Sequence, residues 1–170
     1  MTNNSYSIAL FEIAKEDNAL TLCKDSFQAF MDNYDGDLKS FFTSPRIDLK
    51  AKKEVISKAF EHTYENFVYF INVIIDNHRE DFIEEIYAGF MDLYNREMRI
   101  KIVKVISKDN LTDTEYNRLF SALTSHFSGY QIIVENEIDD TIISGYKIYA
   151  DGSSIDFSIN KLIANYKSQF

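Results

Sequence analysis

The sequence predicts an all-α N-terminal helical bundle of about six helices followed by a small α+β C-terminal domain. Three observations carry this. Apolar residues recur at helical spacing through about residue 98. Only one proline and five glycines interrupt 170 residues. Beyond Ile100 the period shifts towards alternation, broken by strong turn signals. A hydrophobic content of 45% suffices for a packed core. No linker rich in Pro, Gly or Ser divides the chain, so the expected domains, 1–105 and 106–170, meet near the end of a long helix.

The first helix is expected from about Ser5 to Asp17. The second, from about Ala19 to Tyr34, carries Leu20, Leu22, Phe27, Phe30 and Met31 and is closed by Gly36. A short amphipathic piece with Leu38, Phe41 and Phe42 runs into Ser44-Pro45, where proline forbids continuation. Asp48 then offers an N-cap for Leu49 to Phe60. Two helices follow, about Tyr64 to Asp76 and about Glu80 to Met98, the latter with Phe82, Ile83, Ile86, Phe90, Leu93 and Tyr94 on one arc. Lys50, Lys52 and Lys53 read as a solvated basic face. Glu80-Asp81 and Glu84-Glu85 read as solvent-facing acids that complement the helix dipole.

Ile100, Ile102 and Val105 predict a strand, with Val103 breaking strict alternation. Asn110 or Thr112 starts a helix from about Asp113 to Phe127, its buried side carrying Tyr116, Leu119, Phe120 and Leu123. Gln131 to Glu137 and Ser144 to Ala150 are strands. Gly145 permits a close backbone approach or a bulge, and Asp151-Gly152 is a strong hairpin signal. Asp156 or Ser158 can cap a last helix with Ile159, Leu162, Ile163, Tyr166 and Phe170.

Charge excludes one class of partner. The formal charge is −9, and the acidic excess holds on both sides of Val105: 18 acids against 13 bases, then 9 against 5. Neither part offers the clustered basic surface that nucleic acid requires. The single Cys23 rules out an internal disulfide, fits a reducing cytosol, and reads as a buried inert thiol among Leu20, Leu22 and Phe27. The first residues lack a basic region and a long apolar run, and the stretch from Phe67 to Ile75 is interrupted by Asn72 and too short to span a bilayer. Any membrane association is therefore expected to go through a partner. His62, His78 and His126 lack metal-ligand spacing, and the phosphate-cradling glycine loops and Gly-x-Ser-x-Gly are absent. These motifs give no signal for a metal site, a phosphate cradle or a serine nucleophile, and the acidic pairs and Cys23 read as structural.

Surplus apolar surface is the informative anomaly. The first helix places Tyr6, Ala9, Leu10, Ile13 and Ala14 on one arc, yet Ile8 and Phe11 fall on the other side near Lys15. The helix from Tyr64 to Asp76 repeats the pattern, with Tyr69 and Val73 opposite a core arc of Phe67, Val68, Phe70, Ile71, Ile74 and Ile75. Second stripes of this kind mean either complete burial or a groove for a partner helix.

Four motifs in order then resemble the delta subunit of bacterial F-type ATP synthases, counterpart of the mitochondrial oligomycin sensitivity-conferring protein. Tyr6-Ser7-Ile8-Ala9-Leu10-Phe11-Glu12-Ile13-Ala14 resembles that family's Y-A-x-A-L-F-x-x-A. Ser44-Pro45-Arg46-Ile47, followed by Lys50 or Lys53, resembles its N-P-x-I-x-x-x-x-K turn. The segment from Asn66-Phe67-Val68-Tyr69-Phe70-Ile71 to Asn77-His78-Arg79 resembles its N-F-L-x-L-L…N-x-R helix. The run from Ile138 to Ile159 resembles its signature: an acidic residue, a branched apolar pair, a small residue with glycine, then D-x-S. Ser144 stands where many members carry a first glycine.

The resemblance implies a non-catalytic stator adaptor between catalytic head and peripheral stalk, held at the cytoplasmic face of the cell membrane only through the complex. It implies one copy per complex and a monomer in isolation. The bundle would receive the N-terminal amphipathic helix of an alpha subunit between its first and fifth helices, with Tyr6, Ile8, Phe11, Lys15, Tyr69 and Val73 as groove residues. The C-terminal domain would meet the peripheral-stalk b subunit through Leu162, Tyr166 and Phe170, with Gly145, Asp151, Gly152 and Asp156 fixing its fold. The alternatives from the residues alone are an unrelated helical-bundle protein-binding adaptor and a small enzyme built from ordinary carboxylates or tyrosines.

Overall fold

The computed structural model describes residues 3–142, 145–150 and 153–156. The chain divides into two compact units, Met1–Tyr94 and Asn95–Phe170. The division falls at 94/95 rather than 105/106, because the first strand pairs wholly within the second unit.

Six helices build the first unit: α1 (Asn3–Glu16), α2 (Leu20–Asp32), α3 (Gly36–Thr43), α4 (Leu49–Ala59), α5 (Glu65–Asp76) and α6 (Ile83–Glu97), the last preceded by a 3-10 turn at Glu80–Phe82. Gly36 opens α3 instead of closing α2, which ends at Asp32 with Asn33 as its C-cap. Asn18 and His78 take left-handed φ values of 54° and 53° just past α1 and α5. At both ends the following amide reaches back five residues, Ala19 to Ala14 and Arg79 to Ile74, which satisfies carbonyls that a helix end leaves open.

Aromatic residues fill the core. Phe27 of α2 meets Phe67 and Phe70 of α5 at 5.3 and 6.1 Å and Tyr87 and Phe90 of α6 at 5.0 and 5.9 Å. Phe30 extends the cluster to Phe42 and Phe60. Edge-on and tilted contacts of this kind contribute beyond the area they bury. Two expected surface groups are internal: Lys52 of α4 and Glu80 are buried and paired at 2.8 Å. Tyr34 Oη also donates to the Glu80 carbonyl at 3.2 Å. The solvated-face reading fails for both, because α4 turns this one lysine inward against the turn that precedes α6.

The second unit is a four-stranded sheet with one described helix. Its strands are β1 (Ile100–Ser107), β2 (Gln131–Ile138), β3 (Tyr146–Ala150) and β4 (Ser153–Asp156), in the order β2-β1-β3-β4. β1 and β2 are parallel, and α7 (Asp113–His126) connects them. The β1–β3 and β3–β4 pairs are antiparallel. Thr112 caps α7 in a reciprocal arrangement with Glu115. Leu119 and Leu123 of α7 pack on Val103, Val105, Ile132 and Ile148. Val103 therefore carries the buried alternation and Ile102 faces outward. Tyr116 and Phe120 stack on each other at 5.9 Å but stay exposed instead of entering the core.

Candidate functional site

The first unit combines exposed apolar side chains with a fixed junction between α1 and α5. Asp17, just past α1, accepts hydrogen bonds from Tyr64 Oη at 2.5 Å and Asn66 Nδ2 at 2.7 Å. Those two bonds, Tyr64 first, hold the Asp17 carboxyl below its ordinary range. Burial, aided by the Asp17 bond, pushes the Tyr64 phenol up to about 12. The junction ties the end of α1 to the start of α5, so the two packed helices leave it with opposite chain directions.

This anchor identifies which sides of α1 and α5 lie next to the junction. On α5, Asn66, Tyr69 and Val73 share one side, within about 60° of one another on the helix. On α1, Tyr6, Leu10 and Ile13 share the side of Asp17, with Ala9 beside them. Tyr6, Leu10 and Phe70 are buried. Ala9 is exposed, as are Ile13 (44%), Tyr69 (58%) and Val73 (46%).

The expected groove set is therefore only partly brought together. Tyr69 and Val73 are exposed on one side of α5, and Tyr6 is buried on α1. Ile8 and Lys15 are exposed on the side of α1 turned away from Asp17. Phe11 is a core residue, buried edge-on to Phe90 at 6.4 Å, with Lys15 Nζ 5.7 Å from its ring. The reason is the close approach of α6 on that flank. Ser7 Oγ donates to the Ile86 carbonyl at 2.8 Å, and a Cβ at Gly89 would lie 2.7 Å from Ser7 Oγ. Ala9 and Ile13, in place of Ile8 and Phe11, are the exposed apolar side chains on the side of α1 that carries Asp17. Their signal is the Asp17–Asn66 bond, which spacing alone does not reveal.

Of the residues expected in the second unit, Gly145 has φ +85°, a conformation that favours glycine, directly before β3. Ala150 pairs with Ser153, and Asp156 ends β4. Asp151, Gly152, Leu162, Tyr166 and Phe170 lie outside the described residues.

The chemistry on offer is recognition. Cys23 is fully buried, and desolvation pushes its thiol up to about 12. Tyr34 is likewise pushed up to about 12, by burial first and then by Glu84, Asp81 and Glu80. Among the described residues no group of three His, Cys, Asp or Glu could hold a metal ion.

Comparison with known proteins agrees with this picture. The family described as ATP synthase delta (OSCP) subunit matches residues 2–170. An ATP synthase subunit delta of Bacillus cereus (strain B4264) is 27% identical over 166 residues, covering 96% of this chain and 92% of the relative. Its counterpart in Bacillus thuringiensis (strain Al Hakam) is 26% identical over the same span. A chain of the Toxoplasma gondii mitochondrial ATP synthase hexamer shares the fold with a TM-score of 0.81 at 15% identity, over 99% of this chain and 97% of that one. With a family match that spans nearly the whole chain, this protein belongs to the ATP synthase delta (OSCP) subunit family and is a non-catalytic stator subunit of the rotary ATP synthase.

Proposed function

We propose that the stator role works through two separate docking surfaces, one on each unit. The groove between α1 and α5 takes the N-terminal amphipathic helix of the alpha subunit, and the second unit meets the peripheral-stalk b subunit. The carrying observation is the pair of exposed apolar stripes beside the Asp17 junction, Ala9 and Ile13 on α1 and Tyr69 and Val73 on α5, with Tyr6, Leu10 and Phe70 buried. Holding the head against torque requires slow dissociation, which buried aromatic and aliphatic anchors supply. Leu162, Tyr166 and Phe170 remain the stalk-contact candidates, joined by the exposed stack of Tyr116 and Phe120. One copy joins each complex, and the chain, monomeric alone, reaches the cytoplasmic face of the membrane through its partners. No described helix is long and apolar enough to cross a membrane.

Calorimetry of the full chain with a synthetic peptide of the cognate alpha N-terminal helix tests the groove. Val73→Asp should weaken binding about a hundredfold, as loss of a hot-spot contact does, with the circular dichroism spectrum unchanged. Phe11→Asp should instead lower the helical signal, because it places a charge in the core. No binding of the peptide to a folded chain would defeat the groove assignment.

A further inference from the structure

Beside the groove, a cleft of about 480 Å³ opens between the end of α4 and the outer face of α5. Its walls include Phe60, Val68 and the Tyr69 ring, and its polar lining includes Glu61, Glu65 and Asn72. Ser57 adds a hydroxyl to a lining otherwise dominated by acceptors and negative charge, and Glu61 lies 3.0 Å from His62. Asn72 Oδ1 is buried and has no hydrogen-bond partner among the described residues. The Thr63 hydroxyl is spent on the Phe60 carbonyl at 2.8 Å, and the Tyr69 hydroxyl on Glu65 at 3.0 Å. No lysine or arginine is among the described lining residues. The nearby lysines are committed elsewhere, Lys58 to Glu54 at 2.8 Å and Lys53 to Asp76 at 2.5 Å.

Apolar walls that end in acceptors and negative charge match a side chain with an aliphatic stem and a cationic head. Tyr69 stands in both sites, as one wall of the groove and one wall of the cleft. A helix lying over Tyr69 is thus within a side chain's reach of Asn72. We propose that this cleft receives one lysine or arginine side chain from the helix that occupies the α1–α5 groove, with Asn72 Oδ1, Glu61 and Glu65 as the acceptors for its head. The inference rests on the groove reading and adds to it a basic position that fixes the register of the bound helix. Groove contacts are apolar and tolerate sliding by a turn, whereas a cation seated in an acceptor pocket does not.

The test replaces each lysine and arginine of the alpha N-terminal peptide by norleucine in turn and titrates each peptide into the full chain. One replacement should weaken binding about tenfold, the loss expected for a hydrogen bond to a charged group. The same replacement should cost little on Asn72→Leu and on Glu61→Gln/Glu65→Gln chains, each checked for native circular dichroism. That coupling should shrink as salt is raised, because the cleft is open to solvent. Equal affinities for all the peptides on the unaltered chain, or a loss that persists undiminished in both cleft variants, would overturn the proposal while leaving the groove intact. Failure of the unmodified peptide to bind would overturn the groove reading and this one with it.

Discussion

Replacing Lys52 by methionine should cost the first unit about 3–5 kcal/mol, the range for removing one partner of a buried ion pair. The structure places the pair at that end of the scale. The side chains of Lys52 and Glu80 are only 4% and 7% exposed, and their charged atoms are 2.8 Å apart. Methionine keeps most of the stem volume, so the packing loss is small and the change isolates the charge. What remains is a carboxylate shut away from water beneath Tyr34, whose hydroxyl is already engaged with the Glu80 carbonyl. Against a total stability of about 5–15 kcal/mol this is a large fraction, and it corresponds to a fall in Tm of about 15 °C or more for a unit of this size. Urea unfolding followed by circular dichroism would measure it, with Lys52→Met, Glu80→Leu and the double variant side by side. The double variant should be more stable than Lys52→Met, because it leaves no stranded charge. A Lys52→Met protein within about 1 kcal/mol of the unaltered chain would refute the reasoning and mean that water reaches the pair.

Three further outcomes follow from local geometry. Gly89→Ala should destabilise by about 1–3 kcal/mol through its clash with Ser7, and a second change, Ser7→Ala, should recover part of that loss in the same unfolding assay. Asp17 has a folded pKa below its ordinary value of 3.8, so the stability it contributes is complete above that pH and is lost as pH falls through the folded pKa. The gap between the unaltered chain and Asp17→Asn in urea titrations should therefore close in acid and stay open at neutral pH. Thr112→Ala removes a reciprocal helix cap and should cost the second unit about 1 kcal/mol, read by amide exchange along α7.

Helix positions, the change of period after Met98 and the break at Ser44-Pro45 were legible because each has a local cause, a spacing or a proline. Facing was less so. Phe11 and Ile13 are both apolar and lie on opposite flanks of the same helix. Which flank is covered depends on α6 arriving at Ser7 through Gly89, a contact between residues far apart in the chain. Tyr116 and Phe120 deceived for the same reason, since the sheet covers only the Leu119–Leu123 line of α7. Val103 and Ile102 are interchangeable by alternation until β2 and β3 fix the register. Lys52 was within reach, however. Counting five residues past Ile47 in the proline motif lands on it and not on Lys50 or Lys53, and a cation demanded at fixed spacing after a turn suggests a buried partner.

The ring of contacts around Phe27 bears on how the bundle carries load. One side chain of α2 touches two rings of α5 and two of α6, so none of these three helices can be drawn aside without disturbing the other two. A pull delivered at the α1–α5 face is shared across the core at once and does not peel one helix at a time. Stretched in a single-molecule instrument, such a unit gives one abrupt yield and no staircase. For a part that sits in the path of a rotary machine's torque, that is the difference between a stiff coupling and a spring.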